Sequence, residues 1–210
     1  MKTLGVSIAL IALLCAPSAN ADDNIDRPGK GDWCYLPMHS PTPAEQKAFV
    51  DDVAPAAVTA SKKHGVPAAI IAGMAIVESG YGLTRIAIKS NNIYAFKWPG
   101  SKIGKGYEKF VLWCQPDWDE GNVYPAFKSR ADAVDFVAWR LAASDHYKAA
   151  SRKYKEAVGR GADKRKTALV WLEEIAQKYN YDPTAYVKKV SAVVRRPVKN
   201  STVSMWELAE

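Results

Sequence analysis

Glu78 is the residue whose position demands a chemical explanation. Ile70, Ile71, Met74, Ala75 and Glu78 recur at helical spacing between Pro67 and Ser79, so a carboxyl stands where an apolar side chain is expected. It also occupies the last turn before Gly80, where the negative end of the helix dipole disfavours a carboxylate. Burial and the dipole both raise the pKa of an acid. A carboxylic acid kept protonated near neutral pH is a proton donor, and cleavage of a glycosidic bond requires one, because the leaving sugar oxygen must receive a proton. The plainer alternative is a glutamate satisfied by a neighbouring lysine or by backbone amides of the following turn.

The elements that must hold this acid are legible as helix starts and stops. Thr42-Pro43-Ala44-Glu45 is a capping box with proline at the first helical position, which predicts a helix running toward Val53. Pro55 should interrupt it, with a second segment ending at Gly65. The Pro67 to Ser79 helix follows, then a short one over Leu83 to Lys89 and a turn at Ser90-Asn91-Asn92. Strand candidates Tyr107 to Trp113 and Asn122 to Phe127 flank Asp117-Trp118-Asp119-Glu120-Gly121, which predicts a β-hairpin. Four further helices are expected: Ser129 to Ala143, His146 to Val158, Lys164 to Tyr179, and from the Asp182-Pro183 cap to Val194. The expected fold class is mainly α, with one small β-hairpin lobe.

The chain has 210 residues, and Met1 to Ala21 reads as a signal peptide: Lys2, the apolar run Leu4 to Leu14, and the small-x-small site Ala19-Asn20-Ala21. Residues 22–41 form an Asp-, Gly- and Pro-rich leader, 42–194 the folded domain, and 195–210 a tail without periodicity in which Trp206 could dock. No later apolar run is long enough for a transmembrane helix. Lys+Arg 29 against Asp+Glu 22 gives a net charge of +7, which suits polyanions such as cell-wall polymers, while 48% hydrophobic content excludes a disordered polycation. Cys34 and Cys114, an even pair in an oxidising compartment, suggest one disulfide, worth about 4 kcal/mol in the loop-entropy picture. The alternative is two unrelated buried thiols. His39, His64 and His146 show no metal-ligand spacing, so neither a metal nor a cofactor is implied. No motif supports nucleic-acid binding, and Lys164-Arg165-Lys166 reads as a solvated helix start.

The stretch Gly65-Val66-Pro67 through Ala75-Ile76-Val77-Glu78-Ser79-Gly80-Tyr81-Gly82, followed by Asn91-Asn92-Ile93-Tyr94-Ala95-Phe96-Lys97, resembles the glucosaminidase domain of glycoside hydrolase family 73. Val123 to Ser129 and Tyr179 to Tyr186 extend the resemblance in collinear order over about Pro43 to Val194. It implies a lysozyme-like fold and hydrolysis of the β-1,4 bond after N-acetylglucosamine in peptidoglycan strands. Glu78 then matches the general acid, Asp117 takes the place of a second carboxylate, and Tyr179 matches a late tyrosine facing the cleft. Asp117 is one methylene shorter than the glutamate usual there, and Asp119 and Glu120 remain rivals. A second acid would stabilise an oxocarbenium-like transition state or activate water, and its separation from Glu78 would decide between retention and inversion. The substrate's own N-acetyl group could serve instead. Tyr81, Asn92, Tyr94, Phe96 and Trp98 are expected to line the sugar groove. Ala95 replaces the glycine usual after the aromatic.

These residues imply an exported, monomeric hydrolase, periplasmic or secreted, whose partner is the glycan strand. Two other classes stay open: a muramidase or lytic transglycosylase with the same helix-end Glu-Ser, and a wall-binding protein that kept the groove and lost an acid.

Overall fold

Thr42 begins the folded domain as its sequence demands. Its hydroxyl accepts from the Glu45 amide at 3.3 Å while the Glu45 carboxylate accepts from the Thr42 amide at 2.8 Å. The structure, a computed structural model, describes residues 25–26, 36–114, 121–198 and 204–208. The proposed signal peptide, Cys34, and Asp117, Asp119 and Glu120 lie outside the described residues.

The element order is β1 (Ile25–Asp26), α1 (Pro43–His64), α2 (Ala68–Ser79), α3 (Arg85–Ser90), α4 (Ser101–Gly104), β2 (Glu108–Leu112) and β3 (Val123–Ala126). It continues with α5 (Arg130–Ala143), α6 (Lys148–Gly159), α7 (Lys164–Tyr179), α8 (Pro183–Arg195) and α9 (Met205–Leu208). The mainly helical architecture with a small β lobe is as expected.

Two local expectations are corrected. Pro55 does not divide α1, which runs unbroken for 22 residues. Pro55 and Asp51, whose carbonyl the missing N–H would have engaged, both face solvent, so water can satisfy the freed group. The hairpin forms, with Phe110 opposite Tyr124, but β1 adds a parallel strand to β2 and makes the sheet three-stranded in the order β1-β2-β3. The aperiodic tail packs where it is described, with Trp206 docked as the sequence allowed: Pro197 bridges Ser204, and Met205 and Trp206 are buried against the core.

α2 is the centre of the molecule, in contact with α1, α5, α7, α8 and α9. Ten of its twelve residues are buried, and the two that are not are Val77 and Glu78. The apolar face read from sequence therefore closes around nearly the whole helix, and solvent reaches it only at its C-terminal turn. No helix among the described residues is long and apolar enough to cross a membrane.

Candidate active site

The turn that ends α2 aims Glu78. Gly80, Tyr81 and Gly82 follow one another at φ 55, 62 and 79. A Cβ on Gly80 would meet Pro37 at 2.2 Å, so only glycine fits that bend. Ser79 pins the turn from inside: its hydroxyl donates to the Ala75 carbonyl at 2.6 Å and accepts from the Gly82 amide at 2.8 Å. The Glu-Ser-Gly-Tyr-Gly run is thus a device for stopping a buried helix with its last carboxyl at the surface of the core.

Glu78 opens on a cleft of about 490 Å³ whose walls include Tyr94, Phe96, Arg140, Tyr147, Tyr179 and Tyr181, and on a smaller one of about 160 Å³ beside Tyr186 and Lys189. Burial pushes its pKa up to about 7, against the opposing pull of the Tyr186 hydroxyl and the positive charge of Lys189. The carboxyl therefore keeps its proton far closer to neutrality than an ordinary glutamate does. The buried Tyr186 hydroxyl stands in ordinary hydrogen-bond geometry with no described group, and the Glu78 carboxyl is among the groups that act on it. Tyr179 stacks at 5.6 Å on Tyr186 and donates its hydroxyl to the Tyr94 carbonyl at 3.3 Å. Burial, and then the nearby Glu78 charge, hold the Tyr179 hydroxyl well above the usual phenol range, so it stays a neutral donor.

The structure brings Glu78, Tyr179 and Phe96 to one cleft. It puts the other expected groove residues to different use. Tyr94 borders the cleft but is 1% exposed, its hydroxyl donating to the Ile71 carbonyl at 3.2 Å inside the core. Asn92 is buried and its amide is spent internally, donating to the Phe96 and Pro125 carbonyls and accepting from the Phe96 amide. This brace ties the loop to β3 and leaves no free amide edge for a sugar. Tyr81 turns away from the cleft, packing edge-on against Phe49 at 6.0 Å and bordering a separate hollow with Arg196 and Met205. Trp98 lies under the Lys109 ammonium at 5.0 Å, beside Gly104 of α4. Phe96 meets Phe136 edge-on at 5.5 Å.

Tyr186, Lys189, Arg140 and Tyr147 border the acid's two clefts and were not singled out from sequence. Tyr186 and Lys189 stand one helical turn apart on α8, beginning three residues past its proline cap. That spacing could have found them.

The glucosaminidase family, described as mannosyl-glycoprotein endo-beta-N-acetylglucosaminidase, matches residues 54–197. Among solved structures, the catalytic domain of the autolysin Auto from Listeria monocytogenes is similar at 19% identity and a TM-score of 0.53, over 81% of this chain and 89% of that one. A C-terminally truncated glycoside hydrolase domain of FlgJ from Salmonella typhimurium aligns at 20% identity and a TM-score of 0.46, over 70% and 93%. No curated protein sequence matches the chain. With the family match spanning more than half of the chain, and including the helix that ends in Glu78, this protein belongs to the glucosaminidase family and is a glycoside hydrolase.

Proposed function

We propose that this protein is an exported peptidoglycan hydrolase that cleaves the β-1,4 bond after N-acetylglucosamine. One observation carries the reading: a carboxyl held to about 7 on the rim of an aromatic-walled cleft. Family membership supports it, and Auto, which shares the fold, is an autolysin. A strand lying in the cleft presents a glycosidic oxygen to Glu78, which gives up its proton as the bond breaks. Tyr179 and Tyr186, both neutral, flank the acid: the Tyr186 hydroxyl acts on the carboxyl, and Tyr179 lines the cleft beside it. Positive charge developing at the anomeric carbon calls for an electron-rich group on the opposite face, a carboxylate or a carbonyl oxygen, before water adds to that carbon and completes the hydrolysis. Asp117, in the stretch joining β2 to β3, is the residue proposed for it, with Asp119, Glu120 and the substrate's N-acetyl group as rivals.

The Cys34–Cys114 disulfide belongs to the same proposal. The leader pairs with β2 at Ile25–Asp26, and Cys114 lies just beyond the end of β2 and does not stand as a free thiol. Such a bridge would suit an oxidising compartment outside the cytoplasm.

The test is a digest of purified peptidoglycan read by mass spectrometry. Reducing-end N-acetylglucosamine is expected. Reducing N-acetylmuramic acid would indicate a muramidase, anhydro ends a transglycosylase, and intact polymer a binding protein. Glu78→Gln should abolish cleavage while wall binding persists, and Asp117→Asn should slow it severely.

A further inference from the structure

The cleft beside Glu78 has an unbalanced charge. Two cations border it, Lys97 and Arg140, and the one carboxyl among the described residues of its walls is Glu78 itself, whose pKa is pushed up to about 7. Lys97 is engaged, its ammonium lying 5.0 Å from the centre of the Tyr124 ring. Arg140 is not. Its guanidinium rests 5.5 Å from the centre of the Trp139 ring, its Nε is buried without an acceptor, and no carboxylate among the described residues pairs with it. A buried guanidinium N–H without an acceptor is costly, and a planar donor set of this kind matches a carboxylate. Nor does Arg140 serve the proton donor. The cation that acts on Glu78 is Lys189, whereas Arg140 acts on Tyr147, which lines the same cleft. Arg140 and Glu78 line the same cleft, so a strand bound against the acid also passes the guanidinium.

Resting on the peptidoglycan reading above, we propose that Arg140 binds a carboxylate of the N-acetylmuramic acid unit next to the cleaved bond. N-acetylglucosamine is neutral and gives such a residue nothing to hold. N-acetylmuramic acid carries a 3-O-lactyl arm whose carboxylate is free in stripped strands and, in intact ones, is replaced by the carboxylates of the attached peptide. Arg140 thereby reads which sugar lies in the cleft and sets the register of the alternating strand.

The test measures binding to full-length protein in the Glu78→Gln background, so that turnover does not consume the ligand. Three ligands are used: peptide-bearing strands, strands stripped by an amidase, and neutral N-acetylglucosamine oligomers. Adding Arg140→Ala should lower the affinity ratio of carboxylate-bearing to neutral ligand roughly tenfold, with Arg140→Lys retaining part of it. Loss on stripped strands assigns the lactyl carboxylate, and loss confined to peptide-bearing strands assigns the peptide. An unchanged ratio, or equal weakening for all three ligands, would overturn the proposal. Cleavage is assayed separately: a wild-type protein that cuts none of these substrates would refute the hydrolase reading, while the binding ratio still decides the role of Arg140.

Discussion

Raising the Glu78 pKa to about 7 sets stability against function, and the conflict is measurable. The folded state binds this proton more tightly than the unfolded chain, whose carboxyl titrates near 4.5. Stability from this group is therefore complete below about 4.5 and is lost as pH climbs through about 7. At about 1.4 kcal/mol per pKa unit the full loss is about 3 kcal/mol, and because the carboxyl is partly open to solvent about half of that is the working expectation. Glu78→Gln removes the titrating group and keeps the shape, so its stability relative to wild type should rise by about 1–2 kcal/mol between pH 5 and pH 8. Urea unfolding of both proteins at the two pH values reads this directly. Turnover should fall as pH rises through about 7, since the acid must be protonated to act. A stability difference that does not change with pH, together with activity lost near pH 4.5, would refute the seating of a neutral acid.

Tyr179→Phe removes the hydroxyl that donates to the Tyr94 carbonyl beside the acid; hydrolysis should fall about tenfold while the urea midpoint moves little. Gly73→Ala should destabilise by about 1–3 kcal/mol despite the helix preference of alanine, because the new methyl would meet Val194 Cγ1 at 2.5 Å where α2 crosses α8; thermal melts check this, and a stabilised variant would contradict the close approach. Trp206→Ala should cost about 3 kcal/mol in chemical denaturation if the docked tail belongs to the core. Ala95→Gly relieves a left-handed backbone at φ 47 and should raise the urea midpoint by an amount corresponding to about 0.5 kcal/mol.

Capping signals made the helical frame readable. Thr42 with Glu45, Ser129 with Asp132 and Asp163 with Lys166 each close a helix start through contacts within a few residues, which sequence displays directly. Glu78 was legible for the same reason, as a local violation of an apolar pattern. Pro55 misled because whether a proline breaks a helix depends on which side faces water, a tertiary matter. β1 was hidden because two strand residues have no periodicity to detect, whereas Trp206 could be named as a docking residue by type but not placed. The groove residues divide in the same way. Asn92 and Tyr94 looked like sugar ligands by type, yet their polar atoms are consumed by the Phe96, Pro125 and Ile71 backbone far along the chain or across the loop. Arg140 escaped notice because only the fold brings the end of α5 to the acid's cleft.

Many enzymes draw their reactive groups from loops that open long before the fold does. Here the acid is carried by the helix that five others surround, so hydrogen exchange along α2 should report whole-molecule opening rather than local fraying. Heat inactivation and loss of tertiary structure should then coincide. An enzyme arranged this way has no half-melted form that still cuts, and its potency ends with its architecture.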